Sequence, residues 1–271
     1  MIIDAHVHLF PRRLAEAVRA WFDTHAWNIQ YREDVEAALA RLLTAGIDRV
    51  VTLPYAHKPG MAVALNAFTL ELAAAHPEVV PCCTVFPGED GASRIVDEAL
   101  AGPFAGIKIH SHVMKVAADD PRLAPVFEAS ARYRKPVVIH AGREPAVEGY
   151  GIDVHAVSGA ARVRRALQQH PDAIVIIPHL GADEFAAFEQ MLGEFENLYL
   201  DTAMVIGGYF PISPDIEMVR RHPGRILYGT DYPNLPYSWT RELEVVRDLR
   251  LAPEAEALVL AGNARRLFGI G

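Results

Sequence analysis

Short apolar runs alternate along this chain with longer stretches in which apolar residues recur every three or four positions. The runs are Met1–Leu9, Ile47–Leu53, Val79–Phe86, Phe104–Ile109, Pro136–His140, Ala173–His179, Asn197–Thr202 and Arg225–Gly229, and they predict eight strands. Between them, Met61–Ala75, Gly91–Leu100, Arg122–Arg134, Ala160–Gln169, Asp183–Glu194, Ile212–Arg221 and Thr240–Leu249 are rich in Ala, Leu, Glu and Arg at helical spacing. Eight strands alternating with helices in 271 residues predict an α/β fold, the (β/α)8 TIM barrel. A doubly wound open sheet shares the alternation and is the competitor. Arg12–Asp23 and Glu33–Thr44 predict a short helical insertion after the first strand. No Gly/Ser linker or low-complexity stretch divides the chain, so residues 1–271 read as a single barrel domain.

Three predicted helix-to-strand joints share a signature. Ala75-His76-Pro77-Glu78, Gln169-His170-Pro171-Asp172 and Arg221-His222-Pro223-Gly224 each place His-Pro where a helix stops. Proline ends the helix, and the histidine meets the negative end of the helix dipole. His76, His170 and His222 are therefore expected to be structural and to lie at the barrel end away from chemistry.

The other histidines gather where strands end. Of twelve in the chain, His6, His8, His57, His110, His112, His140 and His179 lie in or just after predicted strands. Parallel α/β architectures build their sites at the carboxyl ends of strands. The two-residue period of a strand puts Asp4, His6 and His8 on one face and Ile3, Ala5, Val7 and Leu9 on the other. Two imidazoles at i and i+2 can share one cation. The same rule aims Lys108 and His110 inward, pairs Val138 with His140, and pairs Gly229 with Asp231. A His-x-His pair alone is a weak signal. Joined by His140, His179 and Asp231, each at the end of its own later strand, it becomes a candidate metal centre. Such nitrogen and oxygen donors suit zinc best, with manganese or iron next. The plainer alternative is several hydrogen-bonded histidines and a loop aspartate.

Composition narrows the partners. The chain is 51% hydrophobic and 22% charged, which excludes a disordered or fibrous chain. Mean hydropathy is +0.10, but no run of about 18 apolar residues predicts a membrane span. A net charge of -8 disfavours nucleic acid and leaves a small-molecule substrate as the expected partner. Cys82 and Cys83 are adjacent and point to opposite sides of a strand, which favours a reducing compartment over a disulfide. No basic stretch followed by an apolar signal segment opens the sequence, and a cytoplasmic enzyme is expected.

Ile3-Asp4-Ala5-His6-Val7-His8 resembles the opening motif of the amidohydrolase superfamily. Gly106-Ile107-Lys108-Ile109-His110, Val138-Ile139-His140, Pro178-His179-Leu180-Gly181 and Tyr228-Gly229-Thr230-Asp231-Tyr232-Pro233 resemble later strands of its "amidohydrolase 2" branch, in the expected order. That branch includes metal-dependent hydrolases and amino-carboxymuconate-semialdehyde decarboxylase. The resemblance implies a metal-dependent TIM barrel in which His6, His8, His140 and Asp231 are metal ligands. It implies that His179 orients or polarises the reacting group when one metal is bound, or binds a second metal in two-metal members. Lys108 matches a lysine that is carbamylated in some two-metal members. The resemblance is to a branch that usually keeps the site mononuclear, and the fourth strand shows no bridging carboxylate, so one ion is favoured over two. A homo-oligomer is compatible with barrels of this kind.

In the hydrolase reading, metal-activated water attacks a small ester, lactone or amide, with Asp231 as proton carrier and His179 at the developing oxyanion or the water. The alternative is non-oxidative decarboxylation of a carboxylated aromatic or unsaturated acid on the same ligands. A non-catalytic metal-binding barrel is the third reading; the presence of both His179 and Asp231 disfavours it. Arg143, in the loop after the fifth strand, is a candidate bidentate handle for a substrate carboxylate or else a solvated loop residue. Lys108 and His110 are further substrate-binding candidates, with a structural pairing of Lys108 to Asp4 as the alternative. Asp201, ending the seventh strand, is a candidate acceptor behind a metal-bound histidine.

Overall fold

The computed structural model describes residues 1–144, 147 and 149–271. All eight strands form: β1 (Ile3–Val7), β2 (Arg49–Thr52), β3 (Val79–Thr84), β4 (Gly106–His110), β5 (Val137–His140), β6 (Val175–Ile177), β7 (Leu198–Asp201) and β8 (Ile226–Leu227). Each pairs in parallel with the next in sequence, β1 through β8. The ring closes where the chain following β8 meets β1. Ala5 N donates to Tyr228 O at 2.9 Å, Asp231 N to His6 O at 2.9 Å and His8 N to Tyr232 O at 2.8 Å. An open doubly wound sheet has neither this order nor this closure. The fold is a TIM barrel.

Two helices, α1 (Arg12–His25) and α2 (Val35–Thr44), separate β1 from β2. Asp34 caps α2 by accepting from Ala37 N at 2.9 Å. The remaining large helices are α3 (Ala62–Ala75), α4 (Ala92–Ala101), α6 (Ala124–Tyr133), α7 (Ala160–Gln169), α8 (Phe185–Glu194) and α10 (Arg241–Asp248), with a short α5 (Ser111–Met114) directly after β4. Burial follows helical spacing: Val96, Ala99 and Leu100 on α4, and Val163, Ala166 and Leu167 on α7. Two regions depart from the sequence pattern. Helix is expected from Ile212 but α9 spans only Glu217–Arg221, because Pro214 holds Ser213 out of the helical region. The chain also ends in helical turns, α11 (Pro253–Ala257) and α12 (Asn263–Phe268), that the apolar spacing did not announce.

Alternation along the strands divides the core into two layers. Cys83, Ile107, Ile109, Val137, Ile139, Val175 and Leu200 pack with the helices. Val80, Cys82, Val138, Ile176 and Leu227 form a second cluster with Ala264, Leu267 and Phe268 of α12. The adjacent cysteines thus fall in different layers, and both are free. His76 pairs with Glu36 at 2.9 Å, His222 with Glu189 at 3.1 Å, and the His170 ring stacks on Phe127 at 4.9 Å. All three histidines sit at helix ends leading into strands, as their His-Pro joints predict. Among the described residues, no helix is long and apolar enough to cross a membrane.

Candidate metal centre

The strand ends bring His6, His8 and Asp231 together, one donor atom from each lying within 4.8 Å of the others. His8 Nε2 is 2.8 Å from Asp231 Oδ1, His6 Nε2 is 3.4 Å from the same oxygen, and the two Nε2 atoms are 3.2 Å apart. The approach depends on Gly229, where a Cβ would stand 2.8 Å from His6 Cβ. Asp231 itself has a left-handed backbone, φ 71°. A non-glycine residue held there costs about 1–3 kcal/mol, the kind of strain that collects at functional sites.

The far side of each ring is already committed. His8 Nδ1 lies 2.8 Å from Leu53 O, and a carbonyl only accepts, so Nδ1 carries the proton. His6 Nδ1 lies 2.8 Å from Asp201 Oδ2. Asp201, at the end of β7, thus stands where its position predicts. Its other oxygen accepts from His179 N at 3.1 Å and Ala203 N at 3.0 Å. Burial above all, then the charge of Lys108, keeps His6 well below the ordinary imidazole range, so its ring is neutral. Burial pushes the Asp231 carboxyl up, but the His8 hydrogen bond and the neighbouring imidazoles outweigh it and hold Asp231 below the usual carboxylate range. Two Nε2 atoms and a carboxylate oxygen therefore face one another at 2.8–3.4 Å, an arrangement that a cation relieves. The donor set fits a divalent metal with three protein ligands and an open position, the pattern of catalytic zinc.

His140 stands in adjoining groups instead of with this trio. One holds His140, Glu144 and His179; the other holds His110, His112 and His140. No donor of His140 shares the 4.8 Å reach of His6, His8 and Asp231 among the described residues, so the expected fourth ligand is not gathered here. His179 Nδ1 lies 2.7 Å from Ala203 O and therefore donates, leaving Nε2 as an acceptor 3.1 Å from His140 Nδ1. His179 too has positive φ, 59°, and its ring centroid is 5.5 Å from that of His6.

Lys108 is fully buried with Nζ 3.4 Å from His6 Nε2, and burial pushes it down to about 8. Its alternative partner Asp4 turns elsewhere, accepting from Thr230 Oγ1 at 2.6 Å. His110 is buried and stacks on His140, rings 4.1 Å apart. Arg143 does not line the cavity: it is exposed and paired with Asp183 at 3.0 Å. Peptide geometry sends neighbouring side chains different ways, and the next residue, Glu144, turns inward to 2.8 Å from His140 Nε2. Glu144 went unnoticed in the sequence, although its separation of four from His140 is readable there.

A cavity opens onto the centre, lined by His8, His110, His140, Glu144, His179 and Asp231 at its polar end. Its other wall is aromatic: Trp21 and Phe22 from α1, Trp27, Tyr55, Tyr150 and Phe210. The insertion after β1 thus supplies three of these six aromatic side chains, Trp21, Phe22 and Trp27. An aromatic-rich insertion on the catalytic side of a strand was the available signal for this.

A family model described as amidohydrolase matches residues 3–270. Among solved structures, 5-carboxyvanillate decarboxylase from Sphingomonas paucimobilis is 18% identical, with 100% of this chain and 99% of that chain covered and a TM-score of 0.70. A putative 2-pyrone-4,6-dicarboxylic acid hydrolase from Pseudomonas putida is 17% identical over 99% of this chain and 97% of that one, TM-score 0.66. An amidohydrolase from Burkholderia multivorans solved with bound zinc is 15% identical over 100% of both chains, TM-score 0.68. At these identities the likeness is one of fold. No protein with a curated description matches the chain.

Proposed function

The chain belongs to the amidohydrolase family, and from that premise we propose that it is a metal-dependent hydrolase of a small, uncharged, aromatic or apolar ester, lactone or amide. The observation that carries this reading is the cavity wall: six aromatic side chains face the histidine and carboxylate groups, and no lysine or arginine joins them among the described residues. An anionic substrate would meet Glu144 and Asp231 there with no guanidinium to receive it.

His6, His8 and Asp231 would hold the ion, zinc by preference for this donor set. A divalent cation there supplies Lewis-acid polarisation and brings the pKa of water from about 15.7 toward about 7. Asp231 accepts a proton from the attacking water and passes it to the leaving group. His179, fixed on Ala203 O through Nδ1, offers Nε2 to the same space and orients the water. Asp201 holds both histidines from behind, through the His6 ring and the His179 backbone. The aromatic wall takes the apolar part of the substrate and excludes bulk water.

Decarboxylation of a carboxylated aromatic acid is the second reading. Lys108, buried beside His6 and outside the cavity lining, favours it, since it adds positive charge behind the centre. Turnover in oxygen-labelled water separates the two. Uncharged aryl esters and lactones should yield acid carrying the label, with no carbon dioxide from carboxylated phenols. Carbon dioxide release without ester or lactone turnover would reverse the assignment.

A further inference from the structure

Beside the cavity just described lies a second one with a different lining. Helix α1 supplies Leu14, Ala17, Val18, Trp21 and Phe22 to it, the i, i+3, i+4, i+7 and i+8 positions of one helix face. A stripe of that spacing ordinarily packs into a core. Here only Val18 is buried, while Leu14, Trp21 and Phe22 are half-buried and Ala17 is exposed. The facing wall comes from Val113 of α5, from Tyr55 and His57 after β2, and from Gly149 and Tyr150 in the loop after β5. That loop closes on α1 at two points. The Trp21 and Tyr150 rings stand 4.6 Å apart, and a Cβ on Gly149 would lie 2.6 Å from the His25 ring.

Trp21, Phe22, Tyr55 and Tyr150 line this cavity and the one over the candidate centre alike, so the two spaces meet at these four rings. Their chemistry differs. The first cavity ends on His8, His179 and Asp231, whereas no aspartate, glutamate, lysine or arginine lines the second among the described residues. Burial lowers His57 to about 4, so that ring too is uncharged near neutral pH. The α1 stripe is straight and runs about 12 Å from Leu14 to Phe22, at 1.5 Å per residue. A narrow, straight, uncharged track that begins at the reaction cavity suits an extended alkyl chain better than a second ring system.

We propose that this second cavity is a subsite for an unbranched alkyl tail on the substrate, laid along Leu14, Ala17 and Val18 while the reacting group sits at the candidate centre. The subsite deepens the hydrolase reading and takes from it only the placement of the reacting group. Tail and stripe each cover apolar surface that water otherwise wets, and every methylene so buried strengthens binding by up to about fourfold.

Uncharged alkyl phenyl ketones, which cannot be hydrolysed, test this by calorimetry on the full-length protein. Affinity should rise by up to about fourfold per methylene from acetophenone through butyrophenone and hexanophenone to octanophenone. Ala17→Trp fills the second cavity and Leu14→Glu charges it. Each should flatten the series while acetophenone, too short to reach the stripe, binds as it does to wild type; circular dichroism checks that both variants fold. A series that is flat in wild type, or equally steep in both variants, overturns the subsite. Sedimentation supplies the remaining arm: a wild-type dimer that either variant dissociates gives the stripe to a second copy and overturns the subsite as well. Because binding is read and not turnover, aryl acetates and octanoates left intact would overturn the hydrolase reading alone, and a flat ketone series the subsite alone.

Discussion

The two ends of the barrel use histidine in opposite ways. At the end where helices lead into strands, His76 and His222 find glutamates and His170 stacks on a phenylalanine. At the other end, the inner nitrogens of His6 and His8 crowd one another and Asp231, and neither ring nitrogen of His112 has a partner. Charged groups crowd the same end without full compensation. Burial pushes Asp4 up to about 7, Glu242 up to about 8 and Lys108 down to about 8. One end of the fold is assembled for stability, while the other holds desolvated groups whose cost makes sense only if a ligand or reaction uses them. The division follows barrel topology, in which loops after the strands are free to carry chemistry.

The contrast breaks most sharply at Asp231. Asp231→Asn keeps the shape but removes the charge and the proton acceptor, and turnover should fall about 10²–10⁴-fold, the usual worth of a general base. Turnover within a few fold of wild type would move the proton carrier elsewhere. One step further from the reaction, Asp201→Asn should weaken metal affinity about 10–100-fold by loosening His6 and the backbone of His179. Unchanged affinity in a metal titration would make Asp201 purely structural.

Smaller effects should appear in stability. The buried Glu242 carboxyl accepts from Tyr237 through Oε1, but Oε2 has no partner. Its folded pKa, raised by burial from 4.5 to about 8, means that its contribution is complete below about 4.5 and is lost as pH rises through about 8. Glu242→Gln should therefore gain on wild type in melting temperature as pH rises across that window. A constant offset between the two would show that this carboxyl does not titrate there. His76→Ala, at the other end, removes a partly exposed ion pair with Glu36 and should change stability by no more than about 1 kcal/mol, with turnover untouched. A large loss of activity in that variant would dissolve the distinction between the ends.

Much of this division is legible in the chain. Eight apolar runs carry the barrel because buried parallel strands need little else to declare themselves. The His-Pro joints mark one end, and the strand-terminal histidines with Asp231 mark the other. What stays hidden depends on tertiary direction. Nothing local says that Arg143 turns out to Asp183 while Glu144 turns in, or that His140 leans toward Glu144. The apolar wall is hidden for a different reason. Trp21, Phe22 and Trp27 read as ordinary core residues of an insertion until the barrel places that insertion over its mouth.

Anomalous diffraction from crystals grown with zinc reaches the central claim most directly. A zinc peak is expected about 2.0–2.2 Å from His6 Nε2, His8 Nε2 and an Asp231 oxygen. A map with no peak bonded to those three atoms would contradict the account.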